Sequence, residues 1–125
     1  MSSLHALFDL TGRTALVTGA SRGLGAAAAD GLARAGCDLV ITGRHRQTLE
    51  SRADELREHG TRVEIAVCDM ARPKQITRAL GRAQRLLGRL DILVNNAGTI
   101  ARWPAADYPL EEWRRVVDTN MTGLF

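Results

Sequence analysis

Four short apolar runs alternate with longer segments of helix-forming residues. The apolar runs occupy 13–18, 37–42, 62–68 and 90–95, and the segments between them occupy 23–36, 46–60 and 73–88. Each intervening segment ends in glycine, which commonly closes a helix, and the third begins with Pro73, a residue favoured at the first helical position. Strands that alternate with helices of this length pair in parallel, so the sequence predicts an α/β fold.

The apolar runs also predict how the sheet is covered. The stretches "ALV", "LVI" and "ILV" are continuously apolar, as expected for strands buried on both faces. Right-handed crossovers then place helices on both sides of a doubly wound parallel sheet. After Pro109, residues Trp113, Val117 and Met121 recur at helical spacing without a stop signal. We therefore expect a single incomplete domain over 1–125, truncated after the fourth strand and part of the following helix.

Composition and charge exclude several classes of function. No apolar run approaches the ~20 residues that span a bilayer, and the start lacks a secretory pattern, so we expect a cytoplasmic protein with no membrane partner. The net charge is +3, but the sixteen arginines are dispersed and aromatic residues make up only 4%, so we expect no nucleic-acid partner. Cys37 and Cys68 fall at opposite ends of neighbouring strands, too far apart for a disulfide. The histidines lack metal-ligand spacing, so we predict no metal site.

The first strand and the first helix are joined by the glycine-rich stretch "TGASRGLG", Thr18 to Gly25. Gly19, Gly23 and Gly25 allow a tight turn and a close approach of the backbone to a ligand. The helix that follows offers free N–H groups and the positive end of its dipole, which suit a pyrophosphate. A glycine triplet alone is weak evidence, but a strand before it and an Ala-rich helix after it favour a nucleotide site over an ordinary connection.

The pattern T-G-x-x-x-G-x-G resembles that of the classical short-chain dehydrogenase/reductase family. The segments "CDM" (68–70), "NNAG" (95–98) and "DTNMTGLF" (118–125) resemble further landmarks of the amino-terminal half of that family. The resemblance implies a Rossmann-type fold and hydride transfer between a nicotinamide cofactor and an alcohol or ketone. It also implies a set of cofactor-binding residues: Gly19, Ser21, Arg22, Gly23, Leu24, Gly25, Arg44, Asp69, Met70, Asn96, Ala97 and Gly98.

The same resemblance identifies Asn120 as the family's catalytic asparagine, which would hold a water of a proton relay. The family's catalytic Ser and its Tyr-x-x-x-Lys pair have no counterpart here. The only tyrosine is Tyr108, the only lysine is Lys74, and Glu112 occupies the fourth position after Tyr108. Because the tyrosine is the family's proton donor, we predict that the 1–125 chain alone is inactive. Asn120 would then serve only to satisfy polar groups in its helix.

Residues around the second strand predict the preferred cofactor. A carboxylate at the end of this strand binds the ribose 2′-OH of NAD, but Gly43 occupies that position. Arg44 follows it, and Arg22 lies in the glycine turn. Two guanidinium groups could bind a 2′-phosphate, so NADP(H) is favoured and NAD(H) remains possible. The alternative is that both are ordinary exposed loop arginines.

The substrate is indicated by resemblance alone. The chain looks most like gluconate 5-dehydrogenases and 2-deoxygluconate 3-dehydrogenases, and Arg102, in the loop after "NNAG", is a candidate for a sugar-acid carboxylate. A solvated loop arginine is an equal alternative. The family also implies a homo-oligomer for the full-length form. Two other functions remain open: a non-catalytic nucleotide-binding fragment, or a chain that completes its sheet by association with a partner.

Overall fold

The computed structural model describes residues 3–125. Its helices are α1 (Ser3–Phe8), α2 (Gly23–Arg34), α3 (Arg46–Arg57), α4 (Pro73–Leu87) and α5 (Leu110–Val117). Its strands are β1 (Thr14–Val17), β2 (Asp38–Gly43), β3 (Val63–Val67) and β4 (Ile92–Val94). A 3-10 turn (Ala105–Asp107) precedes α5, and a π-helical turn (Asp118–Thr122) follows it.

The four strands form one parallel sheet in the order β3-β2-β1-β4. The chain first moves outwards from β1 through β2 to β3 and then crosses back to place β4 on the other side of β1. The predicted parallel α/β fold of the Rossmann type is therefore confirmed. The reversal of direction leaves an opening between the carboxyl ends of β1 and β4, where nucleotides bind in open sheets of this kind.

Side chains that alternate along the strands divide the core into two layers. On one face, α2 and α3 cover the odd-numbered positions of β1, including Ala15 and Val17. On the other face, α4 contributes Ala79 and Ala83 against Leu16. Cys37 belongs to the first layer and Cys68 to the second, and both are buried free thiols. Helices therefore cover both faces of the sheet.

The two outer strands present different edges. At β3, the Arg57 guanidinium donates to the Val63 carbonyl at 2.9 and 2.6 Å, and Arg82 Nε donates to the Ile65 carbonyl at 2.9 Å. These bonds occupy carbonyl groups that an added strand would need. β4 pairs only with β1 among the described strands, and its Leu93 side chain is half exposed. The β4 edge is therefore the more open of the two.

Three local features were not predicted. The helix α1 spans only six residues, too few for an apolar period, and its Leu4, Leu7 and Phe8 are exposed. The 3-10 turn lies within a stretch expected to be a loop. After α5 the backbone widens into the π-helical turn, where the Gly123 N–H donates to the Asp118 carbonyl at 2.7 Å. This widening matters because it places Asn120 beside the loop that follows β4.

Candidate functional site

A cavity of about 340 Å³ lies at the carboxyl ends of the strands. Its walls come from the glycine turn, the end of β2, the segment after β3, the loop after β4 and the helix α5. All the predicted cofactor residues except Leu24 and Gly25 line it. The remaining lining residues are Thr42, Gly43, Cys68, Ala71, Thr99, Arg115 and Thr119. Segments far apart in sequence thus meet at the opening where a nucleotide is expected.

The glycine turn has a shape that side chains would prevent. Gly19 has a φ of +63°, and a Cβ added there would lie 2.8 Å from the Ala97 Cα. Gly23 also has a positive φ, of 60°, but faces open space. A Cβ on Gly25 would overlap the Gly19 carbonyl and the Asn96 side chain. Gly25 therefore supports the turn from behind, which explains why it does not line the cavity.

The loop after β4 is tied to the glycine turn by Asn96 and Thr18. The Asn96 amide nitrogen donates to the Thr18 and Gly19 carbonyls at 3.1 and 3.0 Å. The Thr18 hydroxyl accepts from the backbone N–H groups of Asn96 and Ala97 at 3.1 and 3.0 Å. These four bonds hold two walls of the cavity in register. Thr18 was not predicted as a site residue.

Two arginines and no carboxylate from β2 line the cavity near the end of this strand. Gly43 ends β2, and the exposed Arg22 and Arg44 line the cavity together with it. Neither guanidinium makes a hydrogen bond or ion pair with another residue in the described chain. A Cβ on Gly43 would lie 3.3 Å from a Leu49 methyl group and 3.6 Å from the Ser21 hydroxyl. A short side chain at 43 would therefore reach over the glycine turn.

The segment after β3 forms another wall of the cavity. The Asp69 carboxylate accepts from the Ala71 N–H at 2.9 Å, and the Asp69 N–H donates to the Gln75 side chain at 2.8 Å. Asp69 and Met70 are thereby fixed in a turn beside the cavity. Burial raises the pKa of the Cys68 thiol, and the neighbouring Asp69 carboxylate raises this pKa further. Both effects disfavour the thiolate form that a nucleophilic cysteine needs.

The loop after β4 is also held by two side chains, one from α5 and one from the π-helical turn that follows it. Asn120 accepts from the Thr99 N–H at 2.7 Å and donates to the Thr99 carbonyl at 2.9 Å. Arg115 donates to the Thr99 hydroxyl at 2.6 Å and to the Ile100 carbonyl at 3.2 Å, and it pairs with Glu112 at 2.8 Å. The Asn120 amide thus holds the loop after β4 against the π-helical turn. Arg115 had no local sequence signal as a site residue, because its partners in the loop, Thr99 and Ile100, lie about sixteen residues away.

The donors and acceptors of the cavity suit an anionic nucleotide. The first turn of α2 has no side-chain cap, so its N–H groups stay available beside the glycine turn. Thr42 is buried and lines the cavity, yet its hydroxyl has no hydrogen-bond partner among the described residues. A buried hydroxyl without a partner is costly, so a bound polar group would relieve it. The residues present therefore fit a dinucleotide.

Several sequence-predicted residues lie outside the cavity. Leu24 is 83% exposed, and Arg102 is exposed on the loop that leads to the 3-10 turn. Lys74 is exposed at the start of α4, and Tyr108 donates its hydroxyl to the Ala101 carbonyl at 3.2 Å. Neither Lys74 nor Tyr108 lines the cavity. None of the side chains that line the cavity in the described chain carries a phenol, the group that donates the proton in the family this chain resembles.

No helix between residues 3 and 125 is long and apolar enough to cross a membrane. Within those residues, no group of three or more His, Cys, Asp or Glu side chains is arranged to hold a metal ion.

Comparison with known proteins gives one consistent family. The model for "short chain dehydrogenase" matches residues 13–125. Gluconate 5-dehydrogenase of Gluconobacter oxydans is 37% identical over 119 residues, which are 95% of this chain and 46% of that enzyme. The chain spans about half the length of the curated relatives it matches.

Solved structures agree with this result. A short-chain type dehydrogenase/reductase from Mycobacterium marinum has a TM-score of 0.93 and 40% identity, over 99% of this chain and 50% of its own. L-sorbose reductase from Gluconobacter frateurii, solved with NADPH and L-sorbose, has a TM-score of 0.89 and 31% identity, over 93% of this chain and 44% of its own. The chain belongs to the short-chain dehydrogenase family, whose curated relatives are oxidoreductases.

Proposed function

We propose that this chain provides the NADP(H)-binding half of an oxidoreductase that interconverts an alcohol and a ketone. The observation that carries the proposal is the cavity at the carboxyl ends of the strands, which Arg22 and Arg44 line together with Gly43. The cofactor would supply or accept the hydride. The chain's own residues would bind and orient it: the glycine turn at the pyrophosphate, Asp69 and Met70 at the adenine, and Asn96 to Gly98 at the nicotinamide side.

Charge at the end of β2 supports the preference for NADP(H). A 2′-phosphate carries up to two negative charges, and a guanidinium can meet it with two parallel hydrogen bonds. Arg22 and Arg44 have no competing partners in the described chain, and no carboxylate ends β2 to repel the phosphate or to accept from a 2′-OH. The similarity to L-sorbose reductase, which was solved with NADPH, supports the same choice.

The test measures dissociation constants for NADPH and NADH in the wild type, Arg22→Ala and Arg44→Ala. Hydrogen bonds to charged groups contribute about 1.5–3 kcal/mol, so losing either arginine should weaken NADPH roughly tenfold or more and leave NADH almost unchanged. Gly43→Asp should favour NADH most, because its carboxylate accepts from the 2′-OH and repels the phosphate. Gly43→Ala is the matched control, since it brings the same Cβ against Leu49 without the charge. A wild type that prefers NADH would refute the assignment.

Catalysis requires a proton donor that the described cavity does not contain. Asn120, predicted as the relay asparagine, has its amide engaged on both sides by the Thr99 backbone. We therefore assign Asn120 the role of holding the nicotinamide-side loop, with any contact to a relay water as an additional role. We expect the 125-residue chain to show no turnover with NADPH and a panel of ketones and sugar acids. An in-frame Ser strand and Tyr-x-x-x-Lys beyond the codon for Phe125 would supply the missing chemistry.

We propose a sugar acid or related polyol as the substrate class. The support is similarity to gluconate 5-dehydrogenase and to L-sorbose reductase, and not the position of Arg102. The test compares gluconate, 5-ketogluconate and L-sorbose with a ketoacyl thioester, using the whole gene product. Faster turnover of the thioester would contradict this assignment. The cytoplasmic location and the homo-oligomer remain predictions.

A second candidate function is association with another chain that completes the sheet. The observation in its favour is exposed apolar surface on β4 and on the segment from α5 onwards: Leu93 is 50% exposed, and Trp113, Met121 and Phe125 are also exposed. The molar mass of the purified chain across a concentration series would test it. A monomer at all concentrations would exclude self-association.

A further inference from the structure

The glycine turn accepts a hydrogen bond from Arg52 of α3. No local sequence pattern singles out this arginine. Arg52 Nε donates to the Ser21 carbonyl at 3.2 Å, across 31 residues of sequence. The other end of its guanidinium pairs with Glu55, one turn further along α3. The Arg52 side chain is 31% exposed, so much of it is packed between the helix and the turn. Arg52 does not line the cavity itself.

We infer that Arg52 is a positioning residue for selection of the 2′-phosphate, an inference that rests on the proposed NADP(H) function. The carbonyl and N–H groups of a trans peptide point in opposite directions. Holding the Ser21 carbonyl towards α3 therefore turns the Arg22 N–H away from α3. Ser21 and Arg22 both line the cavity, so this peptide sets where the Arg22 backbone and side chain begin.

The surroundings of Ser21 favour this role. A Cβ placed on Gly43 would lie 3.6 Å from the Ser21 hydroxyl and 3.3 Å from Leu49, so the turn, the end of β2 and α3 converge there. Arg22 has an extended backbone, with φ −155° and ψ 171°, and its side chain makes no capping bond to α2. Nothing within α2 therefore fixes the Ser21–Arg22 peptide, and the bond from Arg52 does so from outside.

Arg52 acts through geometry more than through its charge. Its guanidinium is already paired with the Glu55 carboxylate, so the two side chains together carry no net charge. Lysine would keep the charge but lacks the planar fork that reaches two acceptors at once. Arg52→Lys should therefore behave like Arg52→Met, whereas an electrostatic role would let lysine restore the wild-type preference.

Arg57 supplies a matched control on the same helix. It too donates to a backbone carbonyl, that of Val63, and it too pairs with an acid one turn away, Asp54. Its side chain is 38% exposed, close to the value for Arg52. Val63 begins β3, at the end of the sheet away from the cavity. Arg57→Met therefore removes a comparable set of bonds without touching the glycine turn.

The experiment uses two small probes in the 125-residue chain, adenosine 2′,5′-bisphosphate and 5′-AMP, which differ only in the 2′-phosphate. Dissociation constants from calorimetry or NMR titration give their ratio for each variant. We expect Arg52→Met and Arg52→Lys to reduce the preference for the bisphosphate roughly threefold to tenfold, the effect of one lost hydrogen bond. Arg57→Met should leave the ratio at the wild-type value.

The outcomes separate the two proposals. A wild type that binds both probes equally would refute NADP(H) selection and the role of Arg52 together. A wild type that prefers the bisphosphate, with the same ratio in Arg52→Met and Arg57→Met, would overturn the role of Arg52 alone. Equal weakening of both probes by Arg52→Met would show a merely structural residue, and full rescue by Arg52→Lys would show a charge effect. Either result also overturns the inference.

Discussion

Two glycines of the same helix should respond in opposite ways to alanine. Gly25 and Gly31 both lie in α2, and both have ordinary negative φ angles. A Cβ on Gly25 would overlap the Gly19 carbonyl and the Asn96 amide and would lie 2.9 Å from the Gly19 carbonyl carbon. A Cβ on Gly31 would meet no atom within 4 Å. The intrinsic helix propensity gained is the same at both positions, so only the surroundings differ.

The magnitudes follow from those surroundings. Alanine is about 1 kcal/mol more favourable than glycine within a helix, so Gly31→Ala should stabilise the chain by nearly that amount. This corresponds to a rise of roughly 4 °C in melting temperature for a chain of this size. At Gly25 the same gain is opposed by overpacking against backbone, which typically costs about 1–3 kcal/mol and more where backbone must move. The Asn96 bonds to Thr18 and Gly19 add to the loss, since the methyl displaces that side chain.

The assay compares thermal or urea unfolding and NADPH binding for the wild type and both variants. We expect Gly25→Ala to be destabilised by about 2 kcal/mol or more and to lose measurable binding, because the turn and the loop after β4 separate. Gly31→Ala should be stabilised with unchanged binding. A Gly25→Ala variant as stable as Gly31→Ala and with the wild-type affinity would refute the close packing of Gly19, Gly25 and Asn96.

Three further outcomes can be measured. Asn120→Ala should lose two hydrogen bonds, about 2 kcal/mol in all, and speed amide exchange at Thr99 while β1 and β2 keep their protection. Arg82→Leu frees a carbonyl of β3 and should raise concentration-dependent association by light scattering, whereas Arg78→Leu, which removes an equal charge from the same helix, should not. Burial raises the pKa of the Cys37 thiol from 9.0 to about 11. Because the folded state keeps this proton to a higher pH than the unfolded state does, the free energy of unfolding should decline as pH rises from 9.0 to about 11. Cys37→Ala should flatten this pH dependence.

Much of the fold was predictable because glycine and proline residues mark the ends of the helices. Gly36, Gly60 and Gly88 all have positive φ just beyond a helix, and Pro73 begins α4 as expected. Predicted and observed bounds differ by only a few residues. β4 is the shortest of the described strands, Ile92–Val94 against the expected 90–95. The short α1 escaped prediction because a helix of six residues is too short to carry a periodic signal.

The candidate site was predictable only where its chemistry is local. The glycine turn and the "NNAG" segment are contiguous patterns whose neighbours identify them, and the structure brings them together around one cavity. Arg52 and Arg115 could not be singled out, because each is one of sixteen arginines and its partner lies many residues away. Thr42 likewise reads as an ordinary strand residue until its hydroxyl is seen without a partner beside the cavity.

The two edges of the sheet differ in how readily they could accept a further segment or partner. At β3, Arg57 and Arg82 occupy the outward carbonyls, so further strand pairing there would break existing bonds. β4 pairs only with β1 among the described strands, and the apolar side chains of Leu93 on β4 and Trp113 on α5 are exposed. Under the proposed function, the loop that follows β4 forms the nicotinamide side of the cavity. A segment or partner that covered the β4 side would lie beside this part of the cavity, where the described residues carry no proton donor, so we expect burial of that surface and a gain of catalytic activity to occur together.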